Sequence, residues 1–156
     1  MGIKEVKQYF ESVGMSDRVL EFDISSATVA LAAQALNTEP KRIAKTLSFA
    51  YNGSALLIVT AGDGKIDNSK FKSQFGLKAR MLQVEDALDL TGHPVGGVCP
   101  FALKKSLTVA LDISLKRFET VFPACGSANS AIELTPEELE KYAQTTLWVD
   151  VCKDWM

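Results

Sequence analysis

The chain has 156 residues, of which 47% are hydrophobic and 23% charged, and its formal net charge is −2. That length and balance describe one soluble domain spanning residues 1–156, large enough to bury a core. They exclude a membrane protein, since no window approaches the ~20 apolar residues that span a bilayer.

Along the chain, Ile3, Val6, Phe10 and Val13 recur at helical spacing and end at Gly14, which predicts a first helix. A short strand at 19–22 follows. A helix over 28–36 comes next, with Ser25 or Ser26 as its cap and Pro40 beyond its end. Residues 43–49 alternate as a strand, Asn52-Gly53 signals a hairpin, and 55–61 returns as the second strand. Leu56-Leu57-Ile58-Val59 is apolar at successive positions, so both faces of that strand should be buried.

A helix capped by Asp67 or Asn68 should end at Gly76, followed by a strand at 78–82 and a helix at 84–90. Strands are expected at 107–111, 121–124, 130–134 and 147–152, with a helical turn or bend at 114–118. Thr135-Pro136-Glu137-Glu138 reads as a helix start, with Thr135 capping, Pro136 in the first turn and Glu138 placed for a capping box. Strands and short helices interleave irregularly, so the class is α/β or α+β with a mixed sheet.

Charge is unevenly spread. Residues 41–80 carry eight basic side chains against Asp63 and Asp67, while the rest of the chain is strongly acidic. Such a basic middle suits a polyanionic partner, with Lys41, Arg42, Lys65, Lys70 and Lys72 as candidate phosphate contacts. The start of the chain lacks an apolar signal core, and Lys7 stands where a myristoylation motif needs Ser or Thr. Cys99, Cys125 and Cys152 are odd in number and widely spaced, which favours free thiols in the cytoplasm over a disulfide framework. No spacing suits a metal site or a cofactor. Gly62-Asp63-Gly64-Lys65 lacks the spacing of a phosphate loop, and no G-x-G-x-x-G or G-x-S-x-G occurs.

Two features carry chemistry. Thr91–Pro100 packs three glycines and two prolines into ten residues, forming a rigid loop whose N–H groups from Gly96 to Cys99 are expected to be available as donors. Fixed donors of this kind suit a carboxylate, a phosphate or a developing oxyanion. Lys45 is the second feature. Alternation puts it on one strand face with Ile43, Leu47 and Phe49, where a cation needs water, a counter-ion or a ligand. A His93–Cys99 nucleophile pair is chemically possible, as is a packing role for the thiol.

Four blocks then occur in a recognisable order: Ala44–Leu47, Gly96-Gly97-x-x-Pro100, Arg117–Val121 and Gly126–Leu134. Together they resemble the YbaK / aminoacyl-tRNA synthetase-associated family, which includes free-standing relatives of the prolyl-tRNA synthetase editing domain. The resemblance implies a mixed, partly barrel-like sheet surrounded by short helices. It implies hydrolysis of the ester between a wrong amino acid and a tRNA, often tRNA for proline. On this resemblance Lys45 and Gly96 fall on the catalytic positions, and His93, Gly97, Val98, Cys99, Pro100, Ser127, Asn129 and Ser130 line the substrate site. Some relatives carry histidine at the position of Asn129, so no particular amino acid is implied. The expected partner is the acceptor end of aminoacyl-tRNA, and a synthetase is a second candidate. The alternatives are a non-catalytic tRNA- or synthetase-binding module of the same fold and a Cys99-dependent hydrolase.

Overall fold

The structure, a computed structural model, describes residues 2–94 and 96–155; Val95, inside the Gly/Pro loop, lies outside the described residues. The chain opens with helix α1 (Ile3–Ser12), strand β1 (Val19–Glu21) and helix α2 (Val29–Leu36). Strands β2 (Ile43–Tyr51) and β3 (Ser54–Ala61) then form an antiparallel hairpin, with Tyr51 opposite Ser54. Asn52 and Gly53 both take positive φ, 49° and 79°, which matches the twist of a two-residue hairpin turn.

After the hairpin come β4 (Lys65–Ile66), α3 (Asn68–Phe75), α4 (Val84–Thr91), β5 (Thr108–Asp112), β6 (Phe122–Pro123) and β7 (Ser130–Ile132). The last elements are α5 (Pro136–Tyr142), β8 (Trp148–Val149) and β9 (Cys152–Lys153). The main sheet runs β6-β2-β3-β5-β8 and is mixed: β2–β3 is antiparallel and the other three pairings are parallel. Two small antiparallel pairs, β1–β7 and β4–β9, flank it, and a Val121–Leu134 bridge joins the β6 edge to the β7 segment. The expected mixed α/β fold is what forms.

Strand β3 is buried on both faces, as its unbroken apolar run requires. Leu57 and Val59 join Val6 and Phe10 of α1, Leu111, Ile132 and Leu139 in the larger core. Leu56 and Ile58 face the other way, toward Phe49, Phe71, Val149 and Val151. α5 starts as its sequence dictates: Thr135 Oγ1 accepts the Glu138 N–H at 3.0 Å, and Glu138 accepts the Thr135 N–H at 2.9 Å.

Three expectations need correction. Thr28, not Ser25 or Ser26, caps α2 by accepting the Leu31 N–H at 3.1 Å; Ser25 instead accepts the Ala27 N–H. Residues 78–82 make a single bridge, Met81 to Phe49, and not a strand. The expected strand at 147–152 splits between two sheets because buried Asp112 accepts the Val151 N–H at 2.9 Å, drawing it out of any ladder.

Candidate active site

Lys45 and Gly96, 51 positions apart in sequence, line one cavity of about 330 Å³. Its walls are the first half of β2, the turn Ser26–Val29 leading into α2, Val98 of the Gly/Pro loop, and Ser130–Ala131 at the start of β7. Met81 and Val84, both more than half exposed, form an apolar rim.

The loop is shaped by close backbone approach. Gly96 has φ +85°, and a Cβ added there would lie 2.9 Å from Ala27 Cβ and 3.2 Å from Ala128 Cβ. A Cβ on Gly97 would lie 2.5 Å from the carbonyl carbon of Gly126. The two glycines therefore let the loop lie flat against the 126–128 segment, with no room for side chains between. One donor is already used: the Gly97 N–H closes a turn onto the Pro94 carbonyl at 3.0 Å. That corrects the expectation of a continuous free run. The N–H groups of Gly96, Val98 and Cys99 have no hydrogen-bond partner among the described residues.

Lys45 is half-buried, in register with Thr60 of β3 and on the face that carries Leu47 and Phe49. Burial holds its ammonium below the ordinary lysine range, with Asp63 nearby opposing the shift and Lys65 adding to it. Asp63 is itself committed to a two-pronged contact with Arg117, at 2.6 and 3.0 Å. Among the described residues no carboxylate pairs with Lys45. A half-buried cation without a counter-ion, on a cavity wall, is arranged for an anion or a developing negative charge.

His93 and Cys99 lie in the interior and not on this wall. His93 Nε2 is 2.7 Å from the Phe101 carbonyl, a contact that assigns the ring proton to Nε2. Cys99 Sγ lies 3.5 Å from that same nitrogen, which thus has no lone pair to take the thiol proton. Burial pushes the Cys99 thiol up to about 12 and lowers the His93 pKa. A buried thiol without a base is a poor nucleophile. Pro100 borders a different cavity, beside Tyr9 and Tyr142.

Ser127, Asn129 and Ser130 form their own network. Ser127 Oγ lies 2.9 Å from Asn129 Oδ1 and 2.7 Å from Ser130 Oγ, and Asn129 Nδ2 donates to the Phe22 carbonyl at 2.9 Å. Only Ser130 of the three reaches the cavity wall.

The basic residues separate in the same way. Arg42 donates to the Thr120 carbonyl and hydroxyl and to Glu133, and it stacks on Phe122. Lys70 donates to Asp150 and to the Cys152 carbonyl, each at 3.1 Å, and Lys41 pairs with Glu39. Lys65 and Lys72 are exposed and make no ion pair among the described residues. Sequence reasoning missed Lys153, which β4–β9 pairing sets directly opposite Lys65. It also missed Thr46 and Ser26 on the cavity wall, for which adjacency to Lys45 was the one available signal.

Residues 25–142 match the family model of the aminoacyl-tRNA editing domain. The chain belongs to that family. Over 156 residues, 99% of each chain, this editing domain is 54% identical to an uncharacterized protein, YwhH, of Bacillus subtilis (strain 168). A segment of 87 residues, 55% of the editing domain, is 31% identical to a proline–tRNA ligase of Syntrophus aciditrophicus (strain SB) and spans 15% of that ligase. Two solved structures share its fold. One, of a proposed trans-editing enzyme for prolyl tRNA synthetase, has a TM-score of 0.87, 28% identity and 97% coverage of both chains. The other, of hypothetical protein APE2540, has a TM-score of 0.84 at 29% identity, covering 96% of the editing domain and 99% of that chain. Among the described residues no helix is long and apolar enough to cross a membrane.

Proposed function

We propose that the protein is a trans-editing hydrolase that removes a small wrong amino acid from the tRNA for proline or a related tRNA, in the service of translation fidelity. The observation that carries this reading is the convergence of Lys45 and the Gly96 loop on one cavity, in a chain of the editing-domain family.

An aminoacyl ester is already activated, so positioning and stabilisation of the tetrahedral intermediate can supply the rate without a nucleophilic triad. The loop N–H groups around Gly96 receive the ester carbonyl as it becomes an oxyanion. Lys45 holds the terminal adenosine phosphate or assists at that carbonyl. Water adds to the carbonyl carbon, the bond to the ribose oxygen breaks, and the adjacent ribose hydroxyl relays the proton from water to the leaving oxygen. The apolar rim of Met81 and Val84 suits the flat face of the terminal base. Exposed Lys65 and Lys72, with Lys153 beside Lys65, suit the acceptor-stem phosphates.

The test is deacylation of a panel of mischarged tRNAs by the purified protein, with Lys45→Ala alongside. Release of amino acid by the parent and its loss in the folded variant is the expected result. Binding of tRNA without release of any amino acid would instead support the non-catalytic module.

A further inference from the structure

Helix α1 holds the Gly/Pro loop from behind at both ends. Beyond the loop, Phe10 packs edge-on against Phe101, with ring centroids 5.0 Å apart. At the other end Gly2, the N-cap residue of α1, is buried against main chain with no room for a side chain. A Cβ on Gly2 would run into the Gly126 carbonyl oxygen and lie 3.0 Å from Pro94 Cδ. Gly126, at φ +93°, is closed toward α1 in the same way: a Cβ there would lie 2.5 Å from the Gly2 carbonyl carbon. Gly126 also backs Gly97. Gly2 therefore bears on the loop by two routes, directly on the Pro94 ring and through Gly126 on Gly97, the neighbour of Gly96.

The first turn of α1 is itself anchored. The Gly2 N–H donates to Glu5 Oε1 at 3.1 Å, and the Gly2 carbonyl accepts the Val6 N–H at 3.0 Å. Val6 and Phe10 are fully buried in the larger core. Close-packed main chain passes a displacement on to its neighbours instead of absorbing it. No residue of α1 lines the cavity, and the helix precedes the matched residues 25–142. Donors to an oxyanion act only when they are in place, and a misplacement of about 1 Å can cost ~100-fold in rate. We infer that Gly2 is a positioning residue for the donor loop: through Pro94 and Gly126, α1 sets where the Gly96 and Val98 N–H groups stand at the cavity. This inference rests on the editing reading above.

The test compares Gly2→Ala, Val6→Ala, Glu5→Ala and Glu5→Gln with the parent in deacylation of a panel of mischarged tRNAs. Gly2→Ala should lower kcat by about 10- to 100-fold while KM for the tRNA stays within about twofold. It should also shift the backbone amide NMR signals of Gly96 and Val98. Val6→Ala loosens the same helix inside the core. It should lower the melting temperature yet keep kcat per folded molecule and both amide signals at parental values. Glu5 is exposed, so its variants fold. Glu5→Ala releases the Gly2 N–H and should lower kcat by about three- to tenfold, and Glu5→Gln, which keeps an acceptor oxygen, should restore it. This pair decides the matter if Gly2→Ala does not fold, and a parental kcat in Glu5→Ala then overturns the inference. A folded Gly2→Ala with parental kcat, or with a loss confined to KM, overturns it and leaves editing intact. A loss of kcat in Val6→Ala as large as in Gly2→Ala overturns it as well. A parent that releases no amino acid from any of the tRNAs overturns the editing reading and this inference with it.

Discussion

The polar groups that mark this chain fall into two regions with opposite character. Around Arg42, Thr120 and Glu133, and again around Asp63 and Arg117, every guanidinium faces acceptors: Arg117 alone reaches both Asp63 oxygens and the carbonyls of Ser114 and Trp155. Around the cavity the pattern reverses: among the described residues the Lys45 ammonium has no ion-pair partner, and the N–H groups of Gly96 and Val98 and the hydroxyls of Thr46 and Ser26 have no hydrogen-bond partner. Polar groups satisfied by the protein fix a structure, and those left without a protein partner can turn to water or to a ligand. The two regions share the motif blocks of the sequence, so a motif by itself does not say which role its residues play.

The sharpest way to break this contrast is at Gly96. Gly96→Ala introduces a methyl against Ala27 at a positive φ, so deacylation should fall by about a thousand-fold or to background while circular dichroism still reports a folded chain. A folded, fully active variant would dismiss the loop as the donor site.

Lys45→Met should lower deacylation by about ten- to a thousand-fold, yet leave the melting temperature equal or higher, because it removes a charge that burial disfavours. The sign of the pH dependence follows. With its folded pKa below that of the unfolded chain, Lys45 is protonated more in the unfolded state between the two values, so its contribution makes stability rise with pH there. Enzymatic hydrolysis, corrected for the spontaneous reaction, should in turn decline at a pH below the ordinary lysine value of 10.5. An alkaline limb unchanged in Lys45→Arg would assign that titration elsewhere.

Arg117→Ala tests the satisfied region. It should cost about 1–2 kcal/mol of stability in denaturant unfolding, while kcat/KM per folded molecule stays near the parent's. A loss of activity with no loss of stability would move Arg117 into the site. Lys72→Glu should weaken tRNA binding a few-fold and reduce the slope of log affinity against log salt by about one. The same change at Lys70, already tied to Asp150 and Cys152, should act chiefly on stability. Smallest of all, Cys99→Ala should keep activity within about threefold; an inactive but folded variant would restore the thiol nucleophile.

Much of this was legible because it is local. The β2–β3 hairpin announces itself in Asn52-Gly53 and in the apolar run of β3, and α5 in the capping box of Thr135 and Glu138. Lys45 stood out because alternation put a charge on an apolar face, and Gly96 because glycine and proline cluster there. What escaped depends on partners far away in sequence. Asp112 divides the last strand through a contact 39 residues distant, and Lys153 meets Lys65 only because β9 returns to β4.

The second face of the hairpin carries a consequence for the order of events during synthesis. Leu56 and Ile58 are covered on that side by Val149 and Val151, and Lys45 sits on the same face of the hairpin. The hairpin needs only its own turn to close and can pair early, since its contacts are short-range. Phe71 of α3 covers part of that Lys45 side, and the cover is complete only once residues 148–153 have left the ribosome. A nascent chain stalled before that point leaves the part of this face that Val149 and Val151 cover, at Leu56 and Ile58, available to chaperones or to another copy of itself.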